Sequence, residues 1–160
     1  MAQTCQAGRV AKGIDDLDAR LLQLLDEAPR IGVLELSRRL GVARGTVQSR
    51  LDRMQERGVI ATFAPTIDPV ALGYAVTAYA TLEISQGRGR AVLDHLRSIP
   101  QVLEVHTITG QGDMLCRVVA ESNDDLQQVL DRVTEFPDIV RTSSVIALSN
   151  PVPYRVLPLV

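Results

Sequence analysis

Seven arginines fall within residues 30–57 (Arg30, Arg38, Arg39, Arg44, Arg50, Arg53 and Arg57), against only Glu35, Asp52 and Glu56, a local net charge of +4. Guanidinium groups donate in pairs to phosphate oxygens and guanine edges, so such a cluster suits a polyanionic partner. Residues 65–160 carry seven arginines against eleven acids, a net of −4. The overall charge of −2 therefore conceals a basic segment in the head, residues 30–57, set against an acidic body. Few other residues could do chemistry. Cys5 and Cys116 stand 111 positions apart with no Cys or His at ligand spacing, so no metal site is expected and a reducing cytoplasm is the natural setting. The two histidines, His95 and His106, fall on a predicted helix and a predicted strand, where a lone His is usually a surface or packing residue. No Ser-His-Asp set, carboxylate pair or cofactor motif is visible, so neither a catalytic residue nor a cofactor is expected.

The basic cluster needs elements to position it. Residues are 46% hydrophobic and 22% charged, which places the chain in the globular range. No apolar run reaches the roughly 18 residues of a membrane span, and residues 1–13, lacking an apolar centre, read as a disordered arm rather than a secretory signal. Asp15 can cap a first helix whose stripe is Leu17, Leu21, Leu24 and Leu25, stopped at Ala28-Pro29. A second helix fits Val33 to Leu40, ended by Gly41. A third runs from Arg44 to about Arg57, with Val47, Leu51 and Met54 facing inward. Its opposite face presents Gly45, Thr46, Ser49 and Arg53, with Arg50 on the flank. Two helices joined by a short turn containing Gly41 match a helix-turn-helix, and Val59 to Ile67 alternates like a small β wing. Small residues near the start of the third helix would let it enter a major groove of double-stranded DNA. The competing reading is a three-helix scaffold with a merely solvated polar face.

From Leu72 the period changes. A strand from Tyr74 to Ile84, a helix from Gly87 to Ser98, strands from Val102 to Thr109 and Met114 to Ala120, a helix from Asn123, and a strand from Ile139 to Leu148 give the order βαββαβ. That is the order of a ferredoxin-like sandwich, with helices on one face of an antiparallel sheet. Leu96 to Val102 and Val133 to Ile139 repeat helix end, proline and strand start in the same order, which supports two related halves. The expected division is an arm over 1–13, a winged helix-turn-helix over 14–64, a hinge over 65–73, an α/β body over 74–148 and a tail over 149–160. The fold class is α+β. The tail, apolar with prolines at 151, 153 and 158, is expected to pack on the sheet or on another subunit.

Taken together these residues resemble one family, the Lrp/AsnC (leucine-responsive and asparagine-responsive) regulators. The matching motifs are Ile14-Asp15 with Asp18 and Leu21-Leu22, Ala28-Pro29-Arg30, Glu35 to Gly41, Val47 to Leu51 and Gly58 to Ile60. Phe63-Ala64, Ile67-Asp68-Pro69 and Leu72-Gly73 follow, then Ile99-Pro100, Val105, Thr109-Gly110 and Asp113 in the body. Each motif is weak alone; together, over about residues 14–148, they are specific.

The resemblance implies a transcriptional regulator that forms homodimers by pairing body sheets and assembles further, often to octamers. The DNA-facing residues would be Arg38, Arg39, Arg44, Gly45, Thr46, Gln48, Ser49, Arg50 and Arg53. A small amino acid or related effector would bind near Gly110, Gln111, Gly112 and Asp113 and near Thr142 and Ser144. Asp113 could meet an ammonium group, and the glycine turn could offer N–H groups to a carboxylate; a plain β-turn with a solvated Asp113 is the alternative. Three departures stand out. Ala43 replaces the common capping serine, Gly112 and Met114 replace common aromatics, and the tail matches no pattern. Rival readings are a tetrapyrrole decarboxylase of the same broad family and an architectural DNA-binding protein without an effector.

Overall fold

Asp15 starts the first helix, as its position before the leucine stripe predicts. In the computed structural model, which describes residues 13–160, its carboxylate accepts from the backbone N–H groups of Leu17 and Asp18, both at 3.0 Å. Asp18 reciprocates by accepting from the N–H of Asp15, closing a capping box that satisfies donors a helix start leaves unpaired. Helix α1 then runs over Asp16–Glu27, α2 over Val33–Leu40 and α3 over Arg44–Glu56. Their inward stripes meet in one core of Leu21, Leu36, Leu40, Val47, Leu51 and Met54, which Ile60 completes. Gly41 ends α2 in the left-handed region at φ +69°, the conformation that lets the chain turn sharply into α3. The expected arm, Gly13 apart, lies outside the described residues.

The segment expected to form the wing is irregular. Among the described residues no strand forms between Gly58 and Val76, although the segment alternates. Alternation stabilises a strand only when one face is buried, and a hairpin without a third strand or a covering helix is marginal. Phe63 and Ile67, which would supply that face, are exposed.

The body is built as β1 (Val76–Ile84), α4 (Gly89–Arg97), β2 (Val102–Thr107), β3 (Met114–Ala120), α5 (Asn123–Thr134) and β4 (Ile139–Ala147). All pairings are antiparallel and the strand order is β2-β3-β1-β4, so the first and third strands are central and the halves interleave. Side chains at alternate positions, Ala78, Ala80 and Leu82 from β1 and Met114, Cys116 and Val118 from β3, pack under Val92 and Leu96 of α4 and Leu126, Val129 and Val133 of α5. Ser122 caps α5 by accepting from the N–H of Asp125 at 3.1 Å.

The chain divides into two units, one reaching Pro65 and taking in Val152–Val160, the other spanning Thr66–Pro151. The tail thus groups with the helical unit and not with the sheet, one of the two places expected for it. It carries a single 3-10 turn at Leu157–Leu159, and its prolines leave it no ladder to join. No helix among the described residues is long and apolar enough to cross a membrane.

Candidate functional site

Helix α3 owes its orientation to three buried side chains. Val47, Leu51 and Met54 are sealed in the helical core, and this leaves Gly45, Thr46, Gln48, Ser49, Asp52, Arg53 and Glu56 facing outward. Six of these (Gly45, Gln48, Ser49, Asp52, Arg53 and Glu56) line one shallow open groove along the helix. The predicted polar face therefore exists, but it is less basic than the sequence count implies.

The difference arises at Asp18. This carboxylate is only 1% exposed, and it accepts from Arg50 Nη1 and Arg53 Nη2, each at 2.9 Å. Arg50 also pairs with Asp15. A buried carboxylate is stable only when it is paired and hydrogen-bonded, and here two guanidinium groups from α3 meet that need. The pairing holds the Asp15 carboxyl down at about 2, through the Arg50 hydrogen bond first and the Asp18 and Leu17 N–H groups besides. The same two carboxylates raise the pKa of Arg50. Arg50, one of the expected DNA-facing residues, has 23% of its side chain exposed and is turned toward α1. Arg53, 46% exposed, is held at one nitrogen and open elsewhere. Folding two further acids onto α3 lowers the local net charge from +4 to +2.

The other predicted arginines are freer. Arg39 donates to Glu35 at 3.0 Å and Arg38 lies 4.0 Å from the same carboxylate, both on the exposed side of α2. Arg44 opens α3, is exposed, and has no ion-pair partner among the described residues. Ala43, as expected, supplies no side-chain cap.

The second predicted site converges on β1. Gly110 and Gly112 take positive φ (+104° and +90°) in the β2–β3 turn. A Cβ at Gly112 would run into Thr81 Cγ2 and come within 3.1 Å of the Leu82 carbonyl oxygen, so only glycine lets the turn lie this close. Asp113 zips the turn to the strand. Its N–H donates to Leu82 O at 2.8 Å, and one carboxylate oxygen accepts from the Ile84 N–H at 2.8 Å. On the other side of β1, Thr142 pairs in register with Leu82, and Ser144 with Ala80. Thr142 Oγ1 is buried with no hydrogen-bond partner among the described residues. Gly112, Asp113 and Thr142 therefore meet around one residue, Leu82. Gln111 is exposed at the turn, without a bond. The structural job of Asp113 was not visible in sequence, because its partner is a backbone N–H 29 positions away.

The histidines do not converge. His95 stacks on Phe136 with ring centroids 4.9 Å apart and reaches the Arg132 carbonyl, whereas His106 pairs with Glu104 at 2.8 Å on β2. No group of three metal-ligating side chains occurs among the described residues.

Comparison with known proteins matches both units. Residues 14–61 fit the winged helix-turn-helix DNA-binding family profile, and residues 77–157 fit the Lrp/AsnC ligand binding domain. An HTH-type transcriptional regulator of Mycobacterium tuberculosis is 34% identical over 141 residues, covering 86% of this chain and 93% of the relative. The solved structure of Escherichia coli AsnC superposes with a TM-score of 0.84 at 28% identity, over 91% of this chain and 99% of that one. A feast or famine regulatory protein from M. tuberculosis, solved in complex with L-methionine, gives 0.78 at 27% identity, over 88% and 96%.

Proposed function

The chain belongs to the Lrp/AsnC family of DNA-binding transcriptional regulators, and from that premise we propose that α3 reads paired DNA half-sites while an amino acid bound beside Leu82 controls assembly. The observation that carries the DNA half is the division of α3 itself. One side is locked into a core, and the other is polar, partly basic and unobstructed by its own unit. A major groove admits a helix with small residues leading, and Gly45, Thr46 and Ser49 meet that condition. Arg44 and Arg53 supply phosphate or base contacts, and Arg38 and Arg39 flank them.

The effector half draws on two features. Asp113 spends one oxygen on Ile84 and retains another for an ammonium group, and Thr142 keeps a buried hydroxyl without a partner. The methionine in the M. tuberculosis neighbour supports an amino-acid class of ligand. We take the assembling unit to be a homodimer, growing toward an octamer, with the helix-free face of the sheet as the pairing surface. That face exposes Tyr79 and Val145. A ligand shifts DNA affinity through assembly only by binding one assembly more tightly than another.

Gel shifts on the region upstream of the chain's own gene test the first half. Arg44→Ala should weaken binding by about 1–2 kcal/mol, and unchanged binding would remove α3 from the interface. Arg44 is a cleaner probe than Arg53, whose charge reversal would set two carboxylates against each other at Asp18. Thermal-shift screening against the twenty amino acids, repeated with Asp113→Ala, tests the second half. A melting temperature that no amino acid moves would leave the architectural reading in its place.

A further inference from the structure

The outward face of α3 contains a carboxylate where a purely phosphate-binding surface would have none. Asp52 lies in the same groove as Gly45, Gln48, Ser49 and Arg53. It is not neutralised by a cation. Instead, Gln48 Nε2 donates to Asp52 Oδ1 at 2.7 Å, one helical turn apart. A carboxylate can only accept, so this bond fixes which end of the Gln48 amide faces Asp52. The nitrogen is held, one of its two hydrogens is spent, and what remains outward is one N–H beside the carbonyl oxygen.

One remaining donor next to one acceptor is the complement of adenine in the major groove, which offers an N7 acceptor beside an N6 donor. Guanine presents two acceptors, N7 and O6, and would need two donors from the same side chain. The nearby Asp52 charge also disfavours a phosphate or a guanine edge at this spot. A second, independent feature points the same way. Gly45 precedes Gln48 by three residues and shares its face, yet a Cβ there would meet nothing within 4 Å and its φ is not positive. The fold does not require glycine at 45, and glycine weakens a helix relative to alanine. Its benefit is clearance beside the Gln48 amide for something outside the chain.

We propose that Gln48 reads an adenine in each half-site, with Asp52 as the residue that positions its amide and Gly45 as the gap that admits the base. The proposal rests on α3 being the DNA-reading helix. The test is selection from a random duplex library with the full chain, followed by the same selection with Gln48→Ala, Asp52→Ala and Asp52→Asn. Melting curves confirm that each variant is folded. Wild type should enrich an adenine at one position in each symmetric half. Gln48→Ala should lose that preference alone, with about a tenfold fall in discrimination, and keep the other positions. Asp52→Asn retains an acceptor for Gln48 and should keep the adenine, whereas Asp52→Ala should lose it. Gly45→Ala should raise the melting temperature and weaken the selected site. Identical sequence preferences for wild type and Gln48→Ala would overturn the proposal while leaving DNA binding intact. An Asp52→Ala variant that still selects adenine would overturn the positioning role. If wild type enriches no sequence and Arg44→Ala binds random duplex as tightly as wild type, the DNA-reading assignment of α3 fails and this inference with it.

Discussion

At the scale of single residues, the decisive group is Asp18. Its sequence position, one turn after Asp15 in front of a leucine stripe, identifies a helix start and nothing more. That it is buried and clasped by arginines 32 and 35 positions later follows only from how α1 packs on α3. Asp18→Ala would leave Arg50 with Asp15 alone and Arg53 with no carboxylate. We expect a loss of about 2–3 kcal/mol in urea unfolding, below the range for fully buried pairs because both guanidinium groups stay partly wet. Asp15 gives a pH signature. Its folded pKa of about 2 lies below the unfolded value of 3.8, so its contribution is complete above about pH 4 and disappears as pH falls through about 2. Acid titration of the wild type followed by circular dichroism should show that loss, and Asp15→Asn should abolish its share. Cys116 behaves oppositely. Burial pushes its thiol up to about 11, so it should resist iodoacetamide at pH 8 until the protein unfolds, with peptide mapping to separate it from Cys5.

At the scale of elements, periodicity was sufficient for α1 to α5 and the central strands β1 and β3, because each buries one face and the burial writes itself into the spacing of Leu, Val and Ile. The edge strands β2 and β4 were legible only as β-prone runs. It failed where no face is buried. The stretch from Val59 to Ile67 has strand-like alternation and no partner, and the tail is apolar without a period. The residues of the proposed effector site were chosen by type, and the reason for Gly112 was not legible. Only the approach of the turn to Thr81 and Leu82 explains it. Gly112→Ala should therefore cost about 1–3 kcal/mol through positive φ and crowding together. Helix starts allow a prediction of the opposite sign. Helix α3 begins at Ala43 without a side-chain cap, whereas α5 has Ser122. Ala43→Ser should stabilise the helical unit by about 1 kcal/mol, read as a higher melting temperature.

At the scale of the whole molecule, two separate cores of aliphatic side chains lie in units of different charge, residues 13–65 balancing eight arginines against eight acids and residues 66–151 setting six arginines against eleven acids. Stability changes should accordingly sort by unit, with Asp18→Ala lowering the transition of the helical unit and Gly112→Ala that of the sheet unit. The charge asymmetry was legible in the sequence, but its size was not, because a count along the chain overlooks acids that arrive from elsewhere. The clasp at Asp18 then bears on how the protein responds to the ionic strength of its surroundings. Each phosphate neutralised by a free cationic side chain releases condensed counter-ions and steepens the fall of binding with salt by about 0.9 in a log–log plot. Two arginines already satisfied within the fold are partly withheld from that exchange, so a potassium chloride titration should give a shallow slope for so arginine-rich a head. We expect a regulator built this way to lose less of its DNA affinity as salt rises than one whose arginines are all free.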